Sequence, residues 1–341
     1  MQRSLELAKK GAGYVSPNPM VGCVIVHQGQ IIGEGYHEKY GENHAEVNAI
    51  NSVINQELLK ESVLYVTLEP CAHYGLTPPC SNLIIEKMIP KVVVGTIDPF
   101  DEVAGKGIDM MKNAGIDVQV GLLERECREI NKRFFTFHEK KRPYIFLKWA
   151  QTADGFIDME RDAELYGQPT WITGIEALIR VHRMRVEEDA IMVGTKTALK
   201  DNPSLTVRHV KGKNPVRIVL DNHLRLPHSL KVFENTAETI IINSLKNTST
   251  ENLKFIKIIF NNRVPQQVIK ELYQLNIQSV IIEGGKQLLE SFLESGIWDE
   301  TYVFVGDKEF HSGVSAPQPP EKLYHFEQLG KDELYIFRNS N

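Results

Sequence analysis

Three soft-metal ligands, His44, Cys71 and Cys80, constrain this chain more than any other feature. One imidazole and two thiols suit a tetrahedral zinc, and they leave its fourth position for water, as a catalytic site does; a structural site closes it with a fourth residue. Glu46 follows His44 by two residues. If a helix begins near His44, the two side chains leave its first turn in different directions and can reach one water from two sides. A zinc so held lowers the pKa of its water towards about 7. Peptide hydrolysis usually presents His-Glu-x-x-His on one helix, and that pattern is absent.

His44-Ala45-Glu46, followed by Pro70-Cys71 and then Cys80, has the order of the zinc nucleobase-deaminase signature, with one departure. Eight residues separate the two cysteines instead of two, so a loop holding His73, Gly75 and two prolines is inserted between them. The chemistry this signature serves adds hydroxide to an amidine-like carbon and expels ammonia. Glu46 would take the water's proton and return it to the ring nitrogen and the departing amine.

A chain of 341 residues exceeds the usual single domain, and 42% apolar with 24% charged residues leaves material for two cores. Strands alternate with helices throughout, which predicts an α/β fold in each half. In the first half an N-terminal helix over residues 2–12 precedes a hairpin of 21–27 and 30–36 around Gln28-Gly29. A helix from His44 to about Leu59 follows, then strands at 63–68, 91–96 and 117–120 alternating with helices at 81–88 and 105–114. This places both halves of the metal site at helix N-termini, where partial positive charge favours thiolate. After a polar helix at 124–133 a linker is expected over 136–142, with Lys140-Lys141-Arg142 in solvent, dividing the chain into domains 1–141 and 142–341.

The second half reads as strands at 144–149, 190–193, 216–220, 239–242, 255–260, 279–282 and 301–305, with helices at 175–186, 266–275 and 287–295. No Gly-x-Gly-x-x-Gly occurs, so a Rossmann dinucleotide site is unsupported. Glu283-Gly284-Gly285-Lys286 instead turns a buried strand into a helix, a junction whose free N–H groups suit a phosphate. The net charge of −5 gives no global basic field for nucleic acid, and no apolar run reaches membrane-spanning length. Four cysteines, two of them assigned to zinc, leave no disulfide framework, and no signal-peptide core opens the chain; a cytoplasmic location is expected.

Several longer stretches sharpen this. Ser16-Pro17-Asn18-Pro19-Met20-Val21-Gly22-Cys23, Gly33-Glu34-Gly35-Tyr36-His37, His44-Ala45-Glu46-Val47, Thr67-Leu68-Glu69-Pro70-Cys71-Ala72-His73 and Thr77-Pro78-Pro79-Cys80 resemble the deaminase half of the bifunctional riboflavin-biosynthesis deaminase/reductase family. That family shares the eight-residue spacer. Lys148-Trp149-Ala150, Ala153-Asp154-Gly155, Trp171-Ile172-Thr173-Gly174, Val181-His182-Arg183-Met184-Arg185, Asp201-Asn202-Pro203-Ser204-Leu205-Thr206-Val207-Arg208 and Glu283-Gly284-Gly285 resemble its reductase half.

The resemblance implies a cytidine-deaminase-like domain followed by a dihydrofolate-reductase-like one, with one zinc per chain and NADPH as cofactors. It implies deamination of a diaminopyrimidinone bearing a ribosylamino 5′-phosphate, then reduction of its ribosyl unit to a ribityl chain, in a homo-oligomer. Position by position, His44, Cys71 and Cys80 would bind zinc, Glu46 would shuttle the proton, and Asn18, His37, His73 and Asp98 would line the deaminase pocket. Ala150, Trp171, Thr197, Asp201 and Gly285 match cofactor positions, and Lys148, Thr173, Arg185, Leu205, Arg208 and Glu283 match substrate positions of the reductase. Arg185 and Arg208 could make the bidentate contacts a sugar phosphate calls for. Departures from the family pattern fall at Leu76, Phe100, Phe156 and the segment 304–317, and the alternative they raise is a chain with only one competent half.

Overall fold

The structure is a computed structural model describing residues 1–72, 78–100, 103–162, 164 and 166–339. The chain separates into two compact units, Met1–Lys141 and Arg142–Asn341.

The first unit is built on a five-stranded sheet of β1 (Gly22–His27), β2 (Gln30–Tyr36), β3 (Val63–Leu68), β4 (Lys91–Thr96) and β5 (Asp117–Val120), ordered β2-β1-β3-β4-β5. β1 runs antiparallel to β2 and β3, whereas β3, β4 and β5 are parallel. Helices Cys80–Glu86 and Lys106–Asn113 make the two crossovers that parallel pairing requires. The core joins Ile25, Leu64, Val66, Val92 and Val94 of the sheet to Ala45, Ala49 and Ile50 of helix Ala45–Ser52. Gly35 lets that helix press onto β2: a Cβ there would lie 2.3 Å from the Ala49 amide nitrogen and 2.6 Å from the Ala45 carbonyl oxygen.

Two expectations fail in this unit and a third at the first residue of the next. The helix expected to reach Leu59 ends at Ser52, where Val53 turns extended, and a separate 3₁₀ segment, Gln56–Glu61, is capped by the Asn55 side chain. The expected linker is helical: Lys132–Lys140 buries Phe134, Phe135 and Phe137, and the chain turns only at Lys141, with φ of 53°. Three aromatics in four residues outweighed the polar flanks. Arg142, expected in solvent, pairs with Asp299 through bonds of 2.6 and 2.7 Å.

The second unit carries ten strands in one sheet and a two-stranded ribbon. In chain order they are β6 (Tyr144–Gln151), β7 (Phe156–Asp158), β8 (Ala190–Gly194), β9 (Val216–Leu220), β10 (Thr239–Asn243), β11 (Thr248–Ser249), β12 (Leu253–Lys257), β13 (Ser279–Glu283), β14 (Glu300–Val305), β15 (Val314–Ser315), β16 (Leu323–Leu329) and β17 (Asp332–Arg338). The large sheet is ordered β11-β12-β10-β9-β8-β13-β6-β14-β17-β16, and β15 pairs with β7. Side chains alternate across it: Ile145, Leu147 and Trp149 enter one core, Tyr144 and Phe146 the other. Both faces are therefore covered, and β8, β10 and β13 read as continuous apolar runs. Among the described residues, no helix is long and apolar enough to cross a membrane.

Candidate functional site

In the first unit the chemical residues gather where β3 and β4 end. His44 is the N-cap of helix Ala45–Ser52, Cys71 follows β3, and Cys80 opens helix Cys80–Glu86. The Nδ1 atom of His44 stands 3.5 Å from the Cys71 sulfur and 3.4 Å from the Cys80 sulfur. All three ligand atoms lie within 4.8 Å of one another. Zinc–sulfur and zinc–nitrogen bonds of about 2.3 and 2.0 Å at a tetrahedral angle give an S···N edge of about 3.5 Å, so the trio fits that ion. The backbone N–H of Cys80 donates to the Cys71 sulfur at 3.3 Å. Hydrogen bonding from the Cys80 thiol, with His44 and that N–H, holds the Cys71 thiol far below its ordinary range.

Glu46 is buried beside these ligands, with the Cys80 thiol in hydrogen-bonding reach, and burial pushes its carboxyl up to about 7. The His37 imidazole stands edge-on to that of His44, ring centres 5.4 Å apart. Its Nδ1 faces the Asn43 carbonyl at 3.0 Å, which can only accept, so the proton sits on Nδ1 and Nε2 accepts from the Asn18 amide at 3.2 Å. Burial lowers the His37 pKa and keeps this ring neutral. Asp98 is buried past the end of β4, accepts from the Phe100 N–H at 2.8 Å, and is raised to about 7 by burial. Expectations at His73 and Leu76 lie outside the described residues. Phe100, a departure in sequence, packs with Leu68, Phe134 and Phe135 and tilts against His138.

Sequence reasoning passed over Glu69. Its buried carboxylate accepts from the N–H groups of Asp98 and Gly105 at one oxygen and of Gly107 and Ile108 at the other, over 2.9–3.3 Å. This ties the Asp98 loop and the start of helix Lys106–Asn113 to the metal-ligand segment. A buried acid directly before Pro-Cys was the available signal.

In the second unit, parallel register sets Glu283 of β13 beside Lys148 of β6. Glu283 Oε1 stands 3.7 Å from Lys148 Nζ, and Oε2 accepts from Arg185 Nη2 at 3.0 Å. Burial opposes ionisation of Glu283, but Arg185 and Lys148 hold its carboxyl below the ordinary range; burial also lowers Lys148. Leu205 is buried with φ of 55°, and the exposed Arg208 guanidinium makes no ion pair among the described residues. Gly284 and Gly285, with φ of 69° and 76°, face Thr197: a Cβ on Gly284 would meet Thr197 at 2.9 Å. The glycines thus open a cradle between Thr197 and the start of helix Lys286–Ser295, which suits a cofactor phosphate.

Asp201 ends helix Thr195–Asp201 and pairs with Arg161 at 2.6 Å. Ala150 on β6 lies opposite Phe304 of β14. Trp171 is exposed, its carbonyl accepting from Lys308 Nζ at 2.6 Å, and Thr173 is half-buried. No hydrogen bond or ion pair among the described residues joins Trp171 or Thr173 to the Lys148–Glu283–Arg185 group.

Residues 1–96 match the model of the cytidine and deoxycytidylate deaminase zinc-binding region, and residues 143–314 match that of the RibD C-terminal domain. The riboflavin biosynthesis protein RibD of Aquifex aeolicus is 46% identical over 321 residues, 92% of this chain and 88% of that protein. The chain belongs to the RibD family. The RibD of Actinobacillus pleuropneumoniae is 42% identical over 90% of this chain and 83% of its own. A Thermotoga maritima crystal structure, described as a diaminohydroxyphosphoribosylaminopyrimidine deaminase/5-amino-6-(5-phosphoribosylamino)uracil reductase, superposes with a TM-score of 0.89 at 38% identity, covering 99% of this chain and 97% of that one. Acinetobacter baumannii RibD gives 0.89 at 33% identity over 100% and 98%.

This RibD-family chain is therefore a bifunctional enzyme of riboflavin biosynthesis, with a zinc deaminase domain and an NADPH-dependent reductase domain. Both family models match, so the reading of one degenerate half gains no support.

Proposed function

We propose that the first unit deaminates a diaminopyrimidinone carrying a ribosylamino 5′-phosphate, and that the second reduces the ribosyl unit of the product. The triangle of His44, Cys71 and Cys80 around one tetrahedral position, with buried Glu46 beside it, carries this reading. These three residues would hold zinc, which supplies Lewis acidity that activates a water. Glu46, with a carboxyl near neutrality, takes a proton on its oxygen and hands it on to the ring nitrogen and the departing amine. Asn18, with its amide held by His37, and Asp98, held at the end of β4, present polar groups to the pyrimidine edge. His73 belongs to the same proposed pocket.

In the second unit Thr197, Gly285, Asp201, Ala150 and Trp171 would hold NADPH, which supplies the hydride. Arg208 and Arg185 would take the substrate phosphate, Lys148 and Glu283 the polar ribosyl groups, and Leu205 and Thr173 would flank them. We also infer a cytoplasmic homo-oligomer, for which the exposed Leu323, Tyr324 and Phe326 along the edge strand β16 offer a surface. Sedimentation of the purified chain tests the assembly.

The decisive experiment pairs two readouts on one zinc-loaded sample: ammonia released from the phosphoribosylaminopyrimidine, and NADPH oxidation with the deaminated product. Both signals are expected. Ammonia release that Glu46→Gln leaves unchanged would refute the first assignment, and NADPH that stays unoxidised would refute the second.

A further inference from the structure

Helix Ile175–Glu187 carries His182 one turn before Arg185, so the two side chains share a helix face. Both reach one segment by its backbone. The Arg208 N–H donates to His182 Nδ1 at 3.1 Å, and Arg185 Nη1 donates to the Thr206 carbonyl at 3.2 Å. One contact accepts and the other donates, so they fix the two successive peptide groups that flank Val207.

That segment does not hold its shape by itself. Asn202 and Leu205 have φ of 41° and 55°, left-handed conformations that cost a non-glycine residue about 1 kcal/mol or more and persist only where the surroundings impose them. His182 is fully buried, and its Nε2 has no hydrogen-bond partner among the described residues. Because Nδ1 accepts, the ring proton is on Nε2, an orphaned buried donor that an apolar side chain would avoid. What an imidazole offers at this position, and leucine does not, is the acceptor facing Arg208.

We propose that His182 is a positioning residue for the reductase: it fixes the backbone at Arg208 so that the free guanidinium meets the anionic end of the substrate. This rests on the reading above in which Arg208 binds the substrate phosphate. Burial and the neighbouring Arg185, His209 and Arg208 push the His182 pKa down to about 4, so the ring is neutral and able to accept at physiological pH. The Arg208 side chain is exposed, whereas Arg185 is already engaged with Glu283. The helix therefore anchors the more exposed guanidinium of the pair.

The test uses the full chain with zinc, following NADPH oxidation with the deaminated pyrimidine, with the KM for NADPH and a circular-dichroism melt as checks that the second unit of each variant folds. Arg208→Ala serves as the reference and is expected to raise the KM for the pyrimidine at least tenfold. His182→Leu is expected to raise that KM about five- to tenfold, the size of one lost hydrogen bond. Its kcat and its KM for NADPH should stay within about twofold. His182→Asn, whose Oδ1 can stand where Nδ1 stands, is expected to restore the KM to within about twofold of the parent.

If Arg208→Ala leaves KM unchanged, the phosphate reading fails and the proposal falls with it. If Arg208→Ala raises KM but His182→Leu does not, the proposal alone fails. A His182→Leu chain that loses kcat and both KM values together, unrescued by asparagine, marks a merely structural residue and also overturns it. Should His182→Leu not fold, His182→Asn is set against His182→Gln, whose amide lies one carbon further out. A raised KM in the glutamine chain alone supports the proposal, and equal values overturn it.

Discussion

Burial moves Glu46 and His182 in opposite directions for one reason: a low dielectric disfavours the charged form of each. The carboxyl rises to about 7 and the imidazole falls to about 4. A carboxyl near neutrality can both take and return a proton, which general acid–base work requires. Glu46→Gln should therefore cut ammonia release by about 10²- to 10⁴-fold while zinc content and NADPH oxidation with deaminated substrate stay unchanged. For His182 the consequence is stability. Its folded pKa lies below the ordinary 6.5, so between pH 6.5 and 4 the unfolded chain binds the extra proton. The contribution is complete above pH 6.5 and is lost as pH falls towards 4. Arg185, Arg208, His209 and Glu283 face this ring, and the three bases outweigh the acid. Urea midpoints at pH 7 and 4.5 should show the parent losing about 2 kcal/mol more than His182→Asn does, and equal losses would exclude a depressed imidazole.

Elements show where sequence patterns carried the structure and where they did not. Strands at 63–68, 91–96, 117–120 and 216–220 match β3, β4, β5 and β9 residue for residue, because each is a short apolar or alternating run between clear breakers. The clustering of His44, Cys71 and Cys80 was expected for another reason: residue type and order alone express the chemistry. What failed depended on tertiary packing. Val53-Ile54 ends a helix that periodicity continues, the phenylalanines of Lys132–Lys140 find a core no local pattern shows, and the hairpin β16–β17 mixes polar and apolar residues without a regular alternation. Nor does Val216–Leu220 announce that its Arg217 is fully buried. That guanidinium donates to the Lys231, Glu234 and Ala237 carbonyls at 3.0, 2.6 and 2.7 Å, and no carboxylate among the described residues pairs with it. Arg217→Met should cost about 3 kcal/mol or more, because three buried carbonyls lose their donor. Gly35→Ala tests an element contact directly. Its new methyl meets helix backbone, which cannot rotate away, so about 3 kcal/mol of destabilisation and loss of ammonia release are expected. A Gly35→Ala chain with full deaminase activity and an unchanged melting point would show that helix and strand separate more easily than their contact suggests.

At the scale of the molecule, each activity is housed in its own unit with its own sheet and core. The three candidate zinc ligands come from separate places in the first unit: a helix cap, the exit of β3 and the first residue of a second helix. A metal joining them binds the folded unit and not the unfolded chain, so it stabilises by mass action, by about 4 kcal/mol at a thousandfold excess over its dissociation constant. Its removal also leaves two neighbouring thiols and an imidazole to share protons in a buried space, with Glu46 beside them. In the second unit Glu283 pairs with Arg185 and Lys148, and the Thr197 side chain faces Gly284 and Gly285, all residues of that unit. A chelator should therefore abolish ammonia release and lower the melting temperature of the unit that holds His44. Oxidation of NADPH by ready-made deaminated substrate should continue, and added zinc should restore both lost properties. Loss of NADPH oxidation in parallel with zinc content would show that the second unit depends on the metal, against the separation of sites that the two cores imply.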